Sequence, residues 1–165
     1  MPNRLESSPE TRWLAQVSGS DAWGDEGGMT RRYGKIMVIP CSGIGNPFGA
    51  IGREATYIAV EDLRPAVADT VCLSLLVMGD REAREKVRRL PCVTVDGCAS
   101  ACARKSVEMS GGEVVSAMRV VDSYEECREL KLVGITGLDE PGRDLARLLA
   151  EGIAAEIDEI EGELR

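Results

Sequence analysis

The chain has 165 residues, 44% of them hydrophobic and 29% charged, enough for one soluble domain that buries its own core. Histidine is absent, which excludes Ser-His-Asp triads, Cys-His dyads and His-containing zinc sites, while six cysteines stand at 41, 72, 92, 98, 102 and 127. The net charge is −8, and the stretch from Asp139 to Arg165 holds nine acidic and three basic residues, so no broad basic face offers itself to nucleic acid.

Residues 1–33 carry both tryptophans, Trp13 and Trp23, among Ser, Gly, Pro and charge, with no lasting helical or strand period. They read as a disordered leader ahead of a single 34–165 domain, with Met29 as an alternative start. The competing reading is a docking segment with two Trp anchors. No run approaches the ~18 apolar residues of a membrane span, and no secretory pattern opens the chain, so a cytoplasmic protein is expected.

From Gly34 strands and helices alternate. Lys35–Pro40 reads as a buried strand ending at Cys41, and residues 42–52 as a glycine-rich loop. A helix over 53–63 follows, with Ala55, Ile58, Ala59 and Leu63 at helical spacing and Pro65 as its stop. The second strand has two readings. Over 67–72 it brings Cys72 to its end; over 71–77 it brings Cys72 to its start.

Asp80–Leu90 is a charged helix with Ala83, Val87 and Leu90 inward, and Cys92–Val95 is the third strand, leading into Asp96-Gly97-Cys98. Ser100–Met109 reads as helical up to Gly111-Gly112, Val114–Val121 as the fourth strand, and Tyr124–Leu130 as a short helix. Pro141 behind Asp139 opens a long final helix with Leu145, Leu149, Ile153, Ile157, Ile160 and Leu164 on one face. Such a face suits packing over the sheet, or the seam of a homodimer. The alternation predicts an α/β fold: a parallel sheet of about four strands with helices on both faces, in the Rossmann-like three-layer manner.

Sites in such folds form at the carboxyl ends of the strands. Cys41 ends the first strand and Cys98 follows the third. Cys102 lies four residues on, so Cys98-x₃-Cys102 is expected on one face of an opening helical turn. With Cys72 at the same edge, four thiols without histidine suit a Cys₄ zinc site or an iron–sulfur cluster. Cys92, near the opposite end of its strand, reads as core filler, and Cys127 in Glu-Glu-Cys-Arg-Glu as an incidental surface thiol.

Ile39-Pro40-Cys41-Ser42-Gly43, Gly49-Ala50-Ile51-Gly52-Arg53-Glu54-Ala55, Cys72-Leu73 and Val95-Asp96-Gly97-Cys98-Ala99-x-x-Cys102-Ala103-x-Lys105 together resemble the DGC-domain proteins. These are small prokaryotic proteins of undefined biochemical role, regarded as zinc-binding. The resemblance runs from about Lys35 to Gly112. It implies Cys41, Cys72, Cys98 and Cys102 as the four chelating positions, with Zn²⁺ as the metal.

Other readings compete. Cys98 and Cys102 could form a redox or sulfur-transfer pair, with Cys41 activated by its loop. Cys98-x₅-Arg104 has the layout of a phosphatase-type oxyanion loop, with Asp96 as the acid, although no glycine lies between them. Gly43-Ile44-Gly45-Asn46-Pro47-Phe48 has Phe where a dinucleotide fingerprint needs its third Gly, and no P-loop lysine. Those glycines read as a tight turn beside Cys41 whose amides stabilise its thiolate. Whichever reading holds, the partner is an unknown protein or small molecule, with no nucleic acid and no membrane.

Overall fold

A computed structural model of the chain describes residues 34–43, 45–126 and 137–164, without the side chains of 124–126. The leader expected over 1–33, with Trp13, Trp23 and Met29, lies outside these residues, as does Cys127.

Four strands, β1 (Ile36–Pro40), β2 (Ala68–Asp69), β3 (Cys92–Asp96) and β4 (Val114–Arg119), form one parallel sheet in the order β2-β1-β3-β4. The central pair, β1 and β3, is buried at every position, as continuous apolar runs in the middle of a parallel sheet should be. Edge strand β4 alternates half-buried and exposed residues. Ile36, Val38, Val93 and Val95 point to one face; Met37, Ile39 and Cys92 point to the other. The chain is an α/β protein, as its strand–helix alternation implies.

The helix after β1 begins six residues earlier than the sequence reading had it. α1 spans Pro47–Tyr57 and runs on as a π-helical turn, Ile58–Leu63. Asn46 caps it, its side-chain oxygen accepting the Phe48 amide at 2.9 Å, and Pro47 takes the first turn, where a missing N–H costs nothing. The glycines at 49 and 52 had made this stretch look like loop.

β2 is only two residues long instead of six, and the alternative strand over 71–77 is overturned. α2 occupies Leu73–Met78 there, burying Leu73 and Leu76 at i,i+3 spacing while Val77 and Met78 face outward. Gly79, left-handed at φ 83°, ends it, and Asp80 then caps α3 (Arg81–Arg89), accepting the Ala83 amide.

α4 (Cys102–Met109) starts two residues later than expected. β4 yields at Val120 to α5 (Val120–Glu126), which therefore begins before the predicted short helix. α6 (Glu140–Glu163) has Asp139 as its cap and Pro141 in its first turn, as the sequence indicates.

β1 leads outward to β2, and the chain then returns past β1 to β3, so consecutive connections lie on opposite faces. α1 and α6 pack together on one face; Leu145, Leu149, Ile153, Ile157 and Ile160 of α6 join its core. α2, α3 and α4 cover the other face with Leu76, Ala83, Val87, Ala103 and Val107. The apolar stripe of α6 is thus used inside the chain, over the sheet. Among the described residues no helix is long and apolar enough to cross a membrane.

Candidate metal centre at the carboxyl edge of the sheet

The strand order reverses between β1 and β3, which opens the crevice where ligands of open α/β sheets bind. Cys41 leaves β1 at that crevice and Cys98 leaves β3 there. Cys41 is half-buried against the core face made by Met37, Ile39 and Leu73, and its amide donates to the Val95 carbonyl at 2.9 Å. Its main chain is therefore still held by the sheet.

Three glycines close around the Cys41 sulfur. A Cβ on Gly49 would stand 2.3 Å from the Gly43 Cα and 3.3 Å from Cys41 Sγ; one on Gly97 would stand 2.7 Å from the Gly49 Cα. Gly43 itself is left-handed, at φ 72°. Three segments, after β1, at the start of α1 and after β3, thus touch backbone to backbone. The Gly97 amide donates to Cys41 Sγ at 3.4 Å.

Burial pushes the Cys41 thiol up, the Gly97 and Gly43 amides pull it down, and the charges of Asp96 and Cys102 add to the rise. The net direction is upward. The amide support expected from the glycine loop is present, but it does not by itself activate Cys41.

Asp96 is 3% exposed, and both its oxygens are engaged. Oδ1 accepts the Ala103 amide at 2.8 Å and Oδ2 the Arg104 amide at 3.2 Å. It therefore caps α4 from across the turn, satisfying amides that helical bonding leaves open. The residue in the N-cap position, Ala101, has only a methyl group, with no acceptor to do so, and is left-handed at φ 50°. Asp96 fastens the helix, Gly97 permits the contact with Gly49, and Cys98 presents an exposed thiol.

Cys98 sits in the turn closed by the Ala101 amide on its carbonyl at 3.2 Å, while Cys102 is the first residue of α4, also exposed. The C-x₃-C pair does not share one helical face as expected, because the left-handed Ala101 separates turn from helix. Cys72, three residues beyond β2, is exposed at the N-cap of α2. The Ser74 amide and hydroxyl hold its thiol below the usual value. α2 and α4 pack against each other, so Cys72 and Cys102 stand at the starts of neighbouring helices.

Cys92 is fully buried, its thiol directed at the Val87 and Leu90 carbonyls at 3.5 and 3.4 Å. Burial pushes it up to about 12. It is a core residue. Among the described residues, no three His, Cys, Asp or Glu side chains stand together in a metal-ligating arrangement.

The oxyanion-loop reading of Cys98-x₅-Arg104 is overturned. Such a loop needs free amides and an arginine aimed at the bound anion. Here the Ala103 and Arg104 amides are given to Asp96, and the Arg104 side chain lies along α4, its Nε 2.8 Å from Glu108 Oε1. With both oxygens bonded to helix amides, Asp96 is a helix cap and not an acid.

The family model of the DGC domain matches residues 37–132, more than half of the chain and all four candidate cysteines. The chain belongs to the DGC-domain family. Searches of curated proteins and of solved structures give no match. The DGC domain's donor set is purely sulfur, with no histidine in the chain, and soft thiolates of this kind suit zinc, copper(I) or iron–sulfur chemistry. The Gly97 amide donates to the Cys41 sulfur, the kind of contact that steadies a thiolate. The residue types suit a metal, but their sulfurs do not stand together as a ligand set among the described residues.

What sequence reasoning missed was the packing partner of each motif. Gly49 as the seat of Gly97, and Asp96 as the cap of a helix six residues ahead, are contacts through space with no periodic signature. One signal existed: Ala at both 99 and 101 leaves the helix start poorly capped locally.

Proposed function

We propose that this DGC domain binds one zinc ion through Cys41, Cys72, Cys98 and Cys102. The observation that carries the reading is Cys41, held at the strand-order switch with the Gly97 amide on its sulfur, in a chain whose DGC-domain match spans all four cysteines. In this reading Cys41, at the end of β1, would anchor the site, and the exposed Cys72, Cys98 and Cys102 would converge on it only as the ion binds, since they do not stand together as a ligand set beforehand. Zinc held by four thiolates supplies a closed tetrahedral cross-link; with three it keeps an open, Lewis-acidic position.

The reading places the chain in a reducing cytoplasm, where unpaired thiols persist. It needs residues 34–165 only, so a chain beginning at Gly34 is expected to bind the same metal.

The test is metal analysis of protein purified anaerobically, with thiols counted before and after chelation. About one zinc per chain, shielding four thiols that chelation frees, is the expected result. A metal-free protein with a reducible Cys98–Cys102 pair would replace it with the thiol or sulfur-transfer reading. A brown protein absorbing near ~400 nm would replace it with an iron–sulfur cluster.

A further inference from the structure

We infer that the turn from Cys98 to Ala101 is a two-state element, switching between the capped turn observed here and a backward extension of α4 that brings the Cys98 and Cys102 thiols together. The inference concerns the thiols of the metal-free chain and stands apart from the zinc reading.

Two sets of acceptors compete for the same amides. In the observed state Asp96 takes the Ala103 and Arg104 amides at 2.8 and 3.2 Å. Continued backward by α-helical bonding, α4 would give those amides to the carbonyls of Ala99 and Ser100, the residues four places earlier. The Cys102 amide would go to the Cys98 carbonyl, which now accepts the Ala101 amide at 3.2 Å. One bond of the longer helix is already made: the Lys105 amide donates to the Ala101 carbonyl at 3.0 Å. The rearrangement is thus an exchange of acceptors.

Each state carries a penalty that the other relieves. The observed turn holds Ala101 left-handed at φ 50°, the only non-glycine residue so held among the described residues. Ala99, Ser100 and Ala101 include two of the best helix formers, with no glycine or proline. They are exposed or half-buried, so they can move without repacking the core. The extension takes two helix amides away from the Asp96 carboxylate, which is 3% exposed. Thr94, fully buried with its hydroxyl unpartnered, lies on the same face of β3 two residues earlier and offers that carboxylate a donor. The backbone of Ala101 therefore decides whether the two thiols are held apart or stand as neighbours one helical turn apart.

The test uses the full chain, metal-free and reduced, with phenylarsine oxide as the probe. The arsenical bridges two neighbouring thiols: two As–S bonds form and the oxygen on arsenic leaves as water with the thiol protons, without electron transfer. Peptide mapping is expected to place the bridge between Cys98 and Cys102, with a gain of about one helical turn in far-ultraviolet dichroism. Ala101→Gly favours the left-handed turn and disfavours the helix. Bridging should therefore slow by about ten- to hundredfold relative to alkylation of Cys98 by a single-thiol maleimide. Asp96→Asn weakens the competing cap and should speed bridging. Glycine loosens an ordinary loop, so bridging that is unchanged or faster in Ala101→Gly overturns the inference. So does an unchanged rate in Asp96→Asn, a bridge to Cys41 or Cys72 instead, a bridge without gain of helix, or no bridge at all.

Discussion

Gly97 and Gly49 meet backbone to backbone: a Cβ on Gly97 would stand 2.5 Å from the Gly49 amide nitrogen. Backbone cannot swing aside as a side chain can, so Gly97→Ala must push apart the loop after β3 and the start of α1. The expected cost is about 1–3 kcal/mol in urea unfolding. Metal content should fall with it, because the Gly97 amide that reaches Cys41 moves as well. Gly162→Ala is the control. Gly162 is exposed in α6 with nothing within 4 Å, so the same change should be neutral or stabilising by up to about 1 kcal/mol. Equal losses for the two variants would refute the junction.

Asp96 gives a second prediction. Asn at this position offers one acceptor oxygen and no charge, so at most one of the two α4 amides stays bonded. Asp96→Asn should cost about 1–3 kcal/mol, the range for leaving a buried donor without its partner. Hydrogen exchange should quicken at Ala103 and Arg104 while the amides of β1 stay protected. Unchanged exchange at those two amides would show that α4 does not depend on this cap.

These two contacts mark where the sequence stops being readable. The central strands were legible because Ile36–Pro40 and Cys92–Val95 are short, mostly apolar runs, and α6 because a cap, a proline and a 3.6-residue stripe agree. The positions of Cys41 and Cys98 just beyond strands followed from those strands. The Leu73–Met78 run was ambiguous because apolar composition serves a strand and a helix alike, and only Gly79 and Asp80 behind it decide for a helix. The Asn46-Pro47 start of α1 was in plain view, but two glycines masked it. Cys98-x₃-Cys102 suggested one helical turn, and one left-handed residue, Ala101, removed it. The role of Asp96 could not be read at all, since residue types and spacings do not encode which loop touches which.

Cys92 predicts a pH dependence. Its folded-state thiol is pushed up to about 12 from an ordinary 9.0, burial first and the Glu113 charge second. A raised pKa means the folded chain resists ionising this thiol. Its contribution to stability is therefore complete below pH 9 and is lost as pH rises from about 9 toward 12. Over that window one thiol steepens the fall in unfolding free energy by up to about 1.4 kcal/mol per pH unit. Cys92→Ala removes the titration, so its stability should fall less steeply with pH than that of the unaltered chain, whatever its offset at neutral pH. Identical slopes would mean that Cys92 ionises freely in the folded state. The same burial predicts that Cys92 resists alkylation until the chain unfolds, whereas Cys98 and Cys102 react at once when metal-free.

Cys72 decides the coordination number. It reaches the carboxyl edge by a different route from the others, three residues past a two-residue strand and at the start of a short helix. α2 packs on α4, whose first residue is Cys102. If Cys72 is the fourth ligand, Cys72→Ser should weaken zinc binding as much as Cys98→Ser. Each loss should exceed the roughly 10–100-fold cost of deleting a mere supporting partner. Cys127→Ser should leave the affinity unchanged. Competition titration against a chromophoric chelator measures all three. Should Cys72→Ser keep full affinity while Cys98→Ser loses it, the site holds three cysteines, and its open fourth position would turn the reading toward catalysis or metal transfer.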